Sequence, residues 1–357
     1  MRLLLAPAGG RDFASSRVRI FQHLPALAAR GVRWTIVPPA EGSELVARGG
    51  GEPLLSARFR TRQVVQAVRL ARLAPVHDVT FVQRLLLPAP LRRLLARRAR
   101  ALVFDFDDAL YTTPGDGVEG SRWLAPRAAR WASMLSASRA ASVATDYLAD
   151  RARTHQRHTT VIASPVDTER YEPPGSARSA GVVIGWIGSP STSHYLEPIL
   201  PVFRRLAARY PSLRIELVGA DPRLAGAGVR IHPWRWDTEV GHLHAFDVGV
   251  MPLPDDEWSR GKAGYKLLQY MACGTAVVAS PVGAGRELVR SGETGWLAAS
   301  DTAWEEALTE LIGDAAGRRR MGHAGRELAV ARYSLRRWTP RLHDVLESVA
   351  SGAMFGG

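Results

Sequence analysis

Short apolar runs recur along this chain, and each is followed by a longer stretch in which apolar residues return every three or four positions. In the first half the runs are RLLLAP (2–7), VRWTIVPP (32–39), VTFVQR (79–84), ALVFDFDD (101–108), ASVATD (141–146) and TTVIASP (159–165). Helical patterns such as RVRIFQHLPALAARG (17–31) and YLADRARTH (147–155) lie between them. Strand, helix, strand in this rhythm predicts a parallel sheet with helices on both faces.

Over residues 165–180 the rhythm lapses into a polar stretch containing Pro173, Pro174 and Gly175, which reads as a linker. It restarts at VVIGWIG (182–188) and continues through LRIELVGA (213–220), VRIHPW (229–234), DVGVMPL (247–253), AVVASPVG (276–283) and SGETGWLA (291–298). Helical stretches again intervene. The expected organisation is two α/β domains, 1–170 and 171–333, followed by a helical stretch at about 334–350 in which Pro340 marks a break or kink. A length of 357 residues suits two cores of ordinary size.

Composition narrows the function classes. Hydrophobic residues make up 46% and charged residues 23%, which gives material for two cores and no sign of disorder. No apolar run approaches the roughly 20 residues that span a bilayer, and MRLLLAPAGGRDF reads as a first strand, not a signal peptide. The one cysteine, Cys273, excludes an internal disulfide and reads as a small packing residue, so the cytoplasm is the expected compartment. Net charge is +13, and the first 175 residues hold 26 Arg against 15 acidic residues. Arg58, Arg60, Arg62, Arg69 and Arg72, then Arg92, Arg93, Arg97, Arg98 and Arg100, stand among Leu and Val at helical spacing. Such helices suit peripheral contact with an anionic membrane surface, or simply present solvated faces. Zinc-finger spacing, a recognition-helix signature and RNA-binding aromatics are all missing, so no nucleic-acid partner is expected.

Open parallel sheets bind ligands beyond the carboxyl ends of their strands. The most informative such loop is PDDEWSRGKAGYKLLQYMACGTAVVASPVG (254–283), which holds both lysines of the chain, Lys262 and Lys266, against 45 arginines. On a helix starting near Ala263 the two ammonium groups would share one side of the first turn, beside free backbone N–H groups, and would suit a diphosphate. Gly261 and Gly264 permit close approach of the backbone to a ligand.

From Val182 to about Glu347 the sequence resembles the nucleotide-sugar-binding domain of the group 1, or family 4, glycosyltransferases, above all in QYMACGTAVVASPVGAGRELVRSGETGWLA. Ala8-Gly9-Gly10, DFDDALY and SPVDTERYEP in the first half are similar more loosely. The resemblance implies an α/β GT-B fold: two facing Rossmann-like domains with an interdomain cleft, and a last helix (about 334–350) crossing back to the first. It implies transfer of a sugar from a nucleotide-diphosphate donor to a hydroxyl acceptor with retention of configuration and without a metal or other cofactor. Gly9, Gly10, the backbone of Gly188 and Ser189, Lys262 and Lys266 would hold the diphosphate. Gln269 would take the ribose, Glu287 the donor, and His232 or Trp234 the nucleobase.

Two departures stand out. Where relatives carry two glutamates eight apart, this chain has Gly261 and Gln269; a Gln amide still bonds ribose hydroxyls, whereas Gly261 offers no side chain to the donor sugar. Asp255, Asp256 and Glu257 are candidates to replace that contact or to cap a helix. Where many relatives carry a basic residue, this chain has Ser191, Thr192, Ser193 and His194. On the acceptor side, Gln83 and Arg84 follow one strand end, and Asp105, Asp107 and Asp108 another. Asp107 or Asp108 is the candidate to orient an acceptor hydroxyl. Three aspartates also suggest a metal, but the doubly wound pattern and the lysines favour neutralisation by protein. Epimerisation or phosphorolysis on the same scaffold, and nucleotide-sugar binding without transfer, remain rival readings.

Overall fold

The computed structural model describes residues 1–39, 57–113, 124–175, 181–226 and 228–353; side chains are described for helical residues from Thr61 and Pro126 onward in the two helices that border the first two gaps. The side chains of Arg58 and Arg60 and the 176–180 part of the expected linker fall outside what is described. The chain divides into two compact units, one of Met1–Ser164, Asp256–Ala263 and Leu335–Gly357, the other of Pro165–Asp255 and Gly264–Ser334.

The first unit holds a parallel six-stranded sheet: β1 (Arg2–Ala6), β2 (Arg33–Ile36), β3 (Val79–Gln83), β4 (Leu102–Phe106), β5 (Ala140–Val143) and β6 (Thr159–Val161), in the order β2-β1-β3-β4-β5-β6. All residues of β3, β4 and β5 are buried, as expected of strands covered by helices on both faces. One face packs Leu4, Val82, Phe104 and Phe106 against Leu70, Leu95, Met134 and Leu148. The other packs Leu3, Leu5, Phe81 and Val103 against Phe21, Leu24, Leu342, Leu346 and Val349. Leu342, Leu346 and Val349 come from the helix Leu335–Ser351, which runs through Pro340 without a break. The expected interruption is overridden by burial of that apolar face; the proline removes one backbone donor while the packed side chains hold the turn.

The second unit holds β7 (Val183–Ile187), β8 (Arg214–Val218), β9 (Val229–His232), β10 (Val248–Met251), β11 (Ala276–Ala279) and β12 (Gly295–Leu297), all parallel, ordered β12-β11-β10-β7-β8-β9. Its cores centre on Trp186, Phe203, Leu217 and Leu308 on one side and on Tyr171, Phe246, Met271 and Leu288 on the other. Part of the expected linker is built into this unit: Val166 bridges Ser334, Tyr171 is buried, and the Arg326 guanidinium donates to the carbonyls of Thr168, Tyr171 and Ala272.

Sheet order reverses between β1 and β3 in the first unit and between β7 and β10 in the second. Such switch points open a crevice at the strand carboxyl ends, the usual ligand position in open α/β sheets.

Candidate functional site

At the first switch point, Gly9 follows β1 in a turn so tight that a Cβ on it would stand 2.5 Å from the Cβ of Phe13. Its N–H donates to the Ser16 hydroxyl (2.9 Å), and the neighbouring Ala8 N–H donates to the Oε1 of Gln83 (3.0 Å). Ser16 also donates to that Oε1, and the Gln83 amide nitrogen donates to Ser15 (2.9 Å). Gln83, expected on the acceptor side, is thus fully buried and spends its amide pinning the β1 loop to the following helix. At Gly10 an added Cβ would meet nothing within 4 Å.

The network continues outward through carboxylates. Ser15 donates to Asp107 (2.7 Å), and the Arg84 Nη1 donates to both Asp107 (2.9 Å) and Asp108 (2.6 Å). Arg84 sits at φ +54°, the one described non-glycine residue in the left-handed region, a conformation that persists only where surroundings enforce it. Here the bond from its N–H to the Asp105 carbonyl and the two carboxylates supply the constraint. Burial works against charge on Asp108, yet Lys262 (3.8 Å) and Arg84 hold its carboxyl below the ordinary carboxylate range. A carboxylate held this way is a weak proton acceptor and a good hydrogen-bond acceptor for a substrate hydroxyl. Asp105 is held separately, in a fully buried bidentate pair with Arg19, which also donates to Ser142 and to the Ile162 carbonyl. The three aspartates therefore face guanidinium groups, and among the described residues no group of three or more His, Cys, Asp or Glu side chains is placed to hold a metal ion.

Lys262 does not lie on a shared helical turn with Lys266, contrary to the expected helix near Ala263. The short helix Glu257–Arg260 ends at Gly261, Gly264 is left-handed at φ +67°, and the next helix is Tyr265–Ala272. The left-handed glycine breaks the register between the lysines, and they belong to different units. Lys262 stays with the first unit, 5.4 Å above the Trp258 ring, because Trp258 is buried in that unit's core. Gly261 is there for space: a Cβ would lie 2.9 Å from that of Ala109 and 3.1 Å from Leu148. Of the nearby acids, Asp256 caps the short helix by accepting from the Ser259 N–H (2.6 Å), Glu257 pairs with Arg151 and Asp255 with Arg286.

At the second switch point Lys266 lies 4.2 Å above the Trp186 ring, with Nζ donating to Thr192 Oγ1 (3.4 Å). Gly188 makes this possible, since a Cβ there would stand 2.3 Å from the Trp186 ring and 2.8 Å from the Lys266 Nζ. The backbone donors expected at this loop are already engaged: the Gly188 N–H donates to the Val218 carbonyl (2.9 Å) and that of Ser189 to Thr192 Oγ1 (3.3 Å). The loop is closed by its own capping box, which the run of Ser and Thr in place of a basic residue supplies.

Sequence reasoning missed Glu239. Completely buried at the start of the helix Glu239–Ala245, its carboxylate accepts from the Tyr171 hydroxyl, the Trp234 indole N–H and the Gln269 amide (2.8 Å). In sequence it is an acid at a helix start, indistinguishable from an ordinary helix-end charge. His232, at the end of β9, stacks 4.8 Å from His242 and lies 3.6 Å from Glu216; Glu287 is exposed on the short helix Ala284–Leu288.

Residues 181–314 match the family described as glycosyl transferases group 1. Over these residues the chain is similar to that family. An α-maltose-1-phosphate synthase of Mycobacterium tuberculosis is 42% identical over 79 residues, 20% of this chain and 20% of that protein. A D-inositol 3-phosphate glycosyltransferase of Geodermatophilus obscurus is 29% identical over 179 residues, 42% of this chain and 39% of that protein. The matched segments thus span well under half the length of these curated relatives. Among solved structures, sucrose-phosphate synthase of Thermosynechococcus elongatus superposes with a TM-score of 0.74 at 15% identity, over 99% of this chain and 100% of that one. Anabaena HepE in complex with UDP and glucose gives 0.69 at 14%, over 97% and 99%. These likenesses establish the α/β fold of the GT-B glycosyltransferases. No helix among the described residues is long and apolar enough to cross a membrane.

Proposed function

We propose that this protein is a group 1 glycosyltransferase that transfers a sugar, with retention of configuration, from a nucleoside-diphosphate donor to a hydroxyl acceptor. The observation that carries the reading is the second switch point, where Lys266 is held over Trp186 beside Thr192 at the carboxyl end of β7. An ammonium fixed at that position attracts a diphosphate and stabilises it as a leaving group. HepE, similar in fold, has been captured with UDP and with UDP-glucose, which supports a nucleotide-sugar donor. In the transfer the bond from anomeric carbon to diphosphate oxygen breaks and a bond to the acceptor oxygen forms, the acceptor proton leaving to a diphosphate oxygen. No metal is assigned a role. In the first unit, Asp107 and Asp108, both paired with Arg84 and the latter also with Lys262, are the residues proposed to orient an acceptor hydroxyl.

The first unit also supports a cytoplasmic protein resting on an anionic membrane surface. The helices Ala57–Leu73 and Ala89–Arg98 contain nine arginines and no acidic residue, and Val64, Val65 and Leu94 are exposed on them. Flotation with vesicles containing anionic lipid, but not with neutral ones, is the expected result. Binding without transfer is a second reading, favoured by Gly261, whose surroundings leave no room for an acidic side chain.

Calorimetric titration with UDP, GDP, ADP and TDP tests the donor site. One nucleotide should bind selectively, and Lys266→Ala should weaken it by at least about tenfold, the value of a charge-assisted hydrogen bond. Binding of none would overturn the assignment. Binding without donor turnover on any hydroxyl acceptor would favour the second reading, and formation of an epimeric sugar without acceptor would indicate epimerisation.

A further inference from the structure

We infer that Glu239 is a positioning residue that fixes the amide of Gln269 so that its carbonyl oxygen is the atom offered to a ribose hydroxyl of the nucleotide. This rests on the donor-site reading above and on the ribose contact that the resemblance implies for Gln269, and adds to them a residue that touches no substrate.

Three donors from three separate segments converge on one completely buried carboxylate: Tyr171 from the stretch leading into β7, Trp234 from the loop after β9, and Gln269 from the helix Tyr265–Ala272. A carboxylate can only accept, so the amide nitrogen of Gln269 must face it, and Oε1 must point the other way. The indole of Trp234 is tied by the same group, which sets the loop after β9 in register with Gln269. Burying a carboxylate is unfavourable unless its lone pairs are filled, so the arrangement holds together as a unit.

The geometry also gives a physical reason for glutamine at position 269. A glutamate there would set a second carboxylate within hydrogen-bond distance of Glu239 and replace the 2.8 Å bond by repulsion. Exchanging the two residues restores one donor and one acceptor: in Glu239→Gln with Gln269→Glu, the new amide donates one N–H toward position 269, and the Tyr171 hydroxyl oxygen can accept the other.

The test uses the full chain and four proteins: wild type, Q269E, E239Q and the double exchange. Each is titrated with UDP and GDP and with their 2′-deoxy and 3′-deoxy forms. Wild type should prefer a ribonucleotide over at least one deoxy form by on the order of tenfold, the worth of one hydrogen bond in a desolvated site. Q269E should bind more weakly, E239Q should lose the ribose preference by letting the amide turn, and the double exchange should recover both affinity and preference. Melting curves for all four separate misfolding from misorientation. A purely structural Glu239 would lower stability in E239Q and leave the ribose preference of the folded fraction intact, which overturns the proposal. Equal or weaker binding by the double exchange than by Q269E overturns it too. If wild type binds no nucleotide, the donor-site reading fails first; if wild type binds and the ribose preference is unaffected by E239Q, that reading stands and only the role of Glu239 falls.

Discussion

Gly188→Ala adds a single methyl group at the second switch point, and the structure says what it meets. A Cβ at this position would stand 2.3 Å from the tip of the Trp186 ring and 2.8 Å from the Lys266 ammonium. Trp186 is fully buried, so its ring has nowhere to swing, and the adjustment falls on the β7 loop or on Lys266. Gly188 is not among the left-handed glycines, so alanine meets no backbone penalty there and gains about 0.4–1 kcal/mol by restricting the unfolded chain. Overpacking of a close-packed site costs about 1–3 kcal/mol and wins. The expected outcome is a net loss of about 1–2 kcal/mol in urea unfolding, together with weakened nucleotide binding as Lys266 leaves the Trp186 ring. Gly313→Ala serves as the control, since its added methyl meets nothing within 4 Å and the substitution should be neutral or slightly stabilising. A G188A protein as stable as wild type, with undiminished nucleotide affinity, would refute the argument that this glycine holds space for the lysine.

Asp105→Asn should destabilise the protein by about 3–5 kcal/mol in urea unfolding, because it strands the buried Arg19 guanidinium without its counter-charge; a loss below about 1 kcal/mol would show that Ser142 and the Ile162 carbonyl suffice. Arg326→Met removes the donor to three carbonyls and should lower stability by about 1.5–3 kcal/mol, with Arg326→Lys recovering only part because an ammonium lacks the planar fork; full recovery by lysine would contradict this. Burial, reinforced by the Arg19 charge, pulls the His23 imidazole from 6.5 down to about 3. The unfolded chain therefore binds a proton that the folded protein refuses: the contribution is intact above about pH 6.5 and lost at about 1.4 kcal/mol per pH unit as pH falls toward 3. His23→Gln should flatten the stability profile between pH 6.5 and 5 relative to wild type, and an unchanged slope would refute the assignment.

The strands of the described residues were legible because each lies in a short apolar run bounded by turn residues, most plainly β3, β4 and β5, which are buried throughout. Gly9 and Gly188 stand out in the sequence because they follow strand ends, where open α/β sheets bind ligands, and Lys266 because it is one of two lysines among 45 arginines. Reading Lys262 and Lys266 as one helical turn failed at Gly264, whose left-handed backbone was not visible in a pattern that counts only polarity. Gln83 and Glu239 show the opposite limit. Gln83 looked like a strand-end contact and is a buried pin, and Glu239, an acid that nothing in the sequence marked out, is a buried carboxylate taking three donors.

Polarity periodicity acts locally, over a few residues, and that is why the order of strands and helices, the two-unit organisation and the loops worth inspecting could be read without coordinates. Partnership among polar side chains is a long-range matter. Arg19 meets Asp105 across 86 positions, Tyr171 meets Glu239 across 68, and Trp258 leaves the stretch around it to join the core of the first unit. Those meetings decide which carboxylates are neutralised, which glycines hold open space and which amide can face a ligand. They depend on burial, since a polar group withdrawn from water must take whatever partner the packed chain brings to it, and only the folded chain specifies that partner.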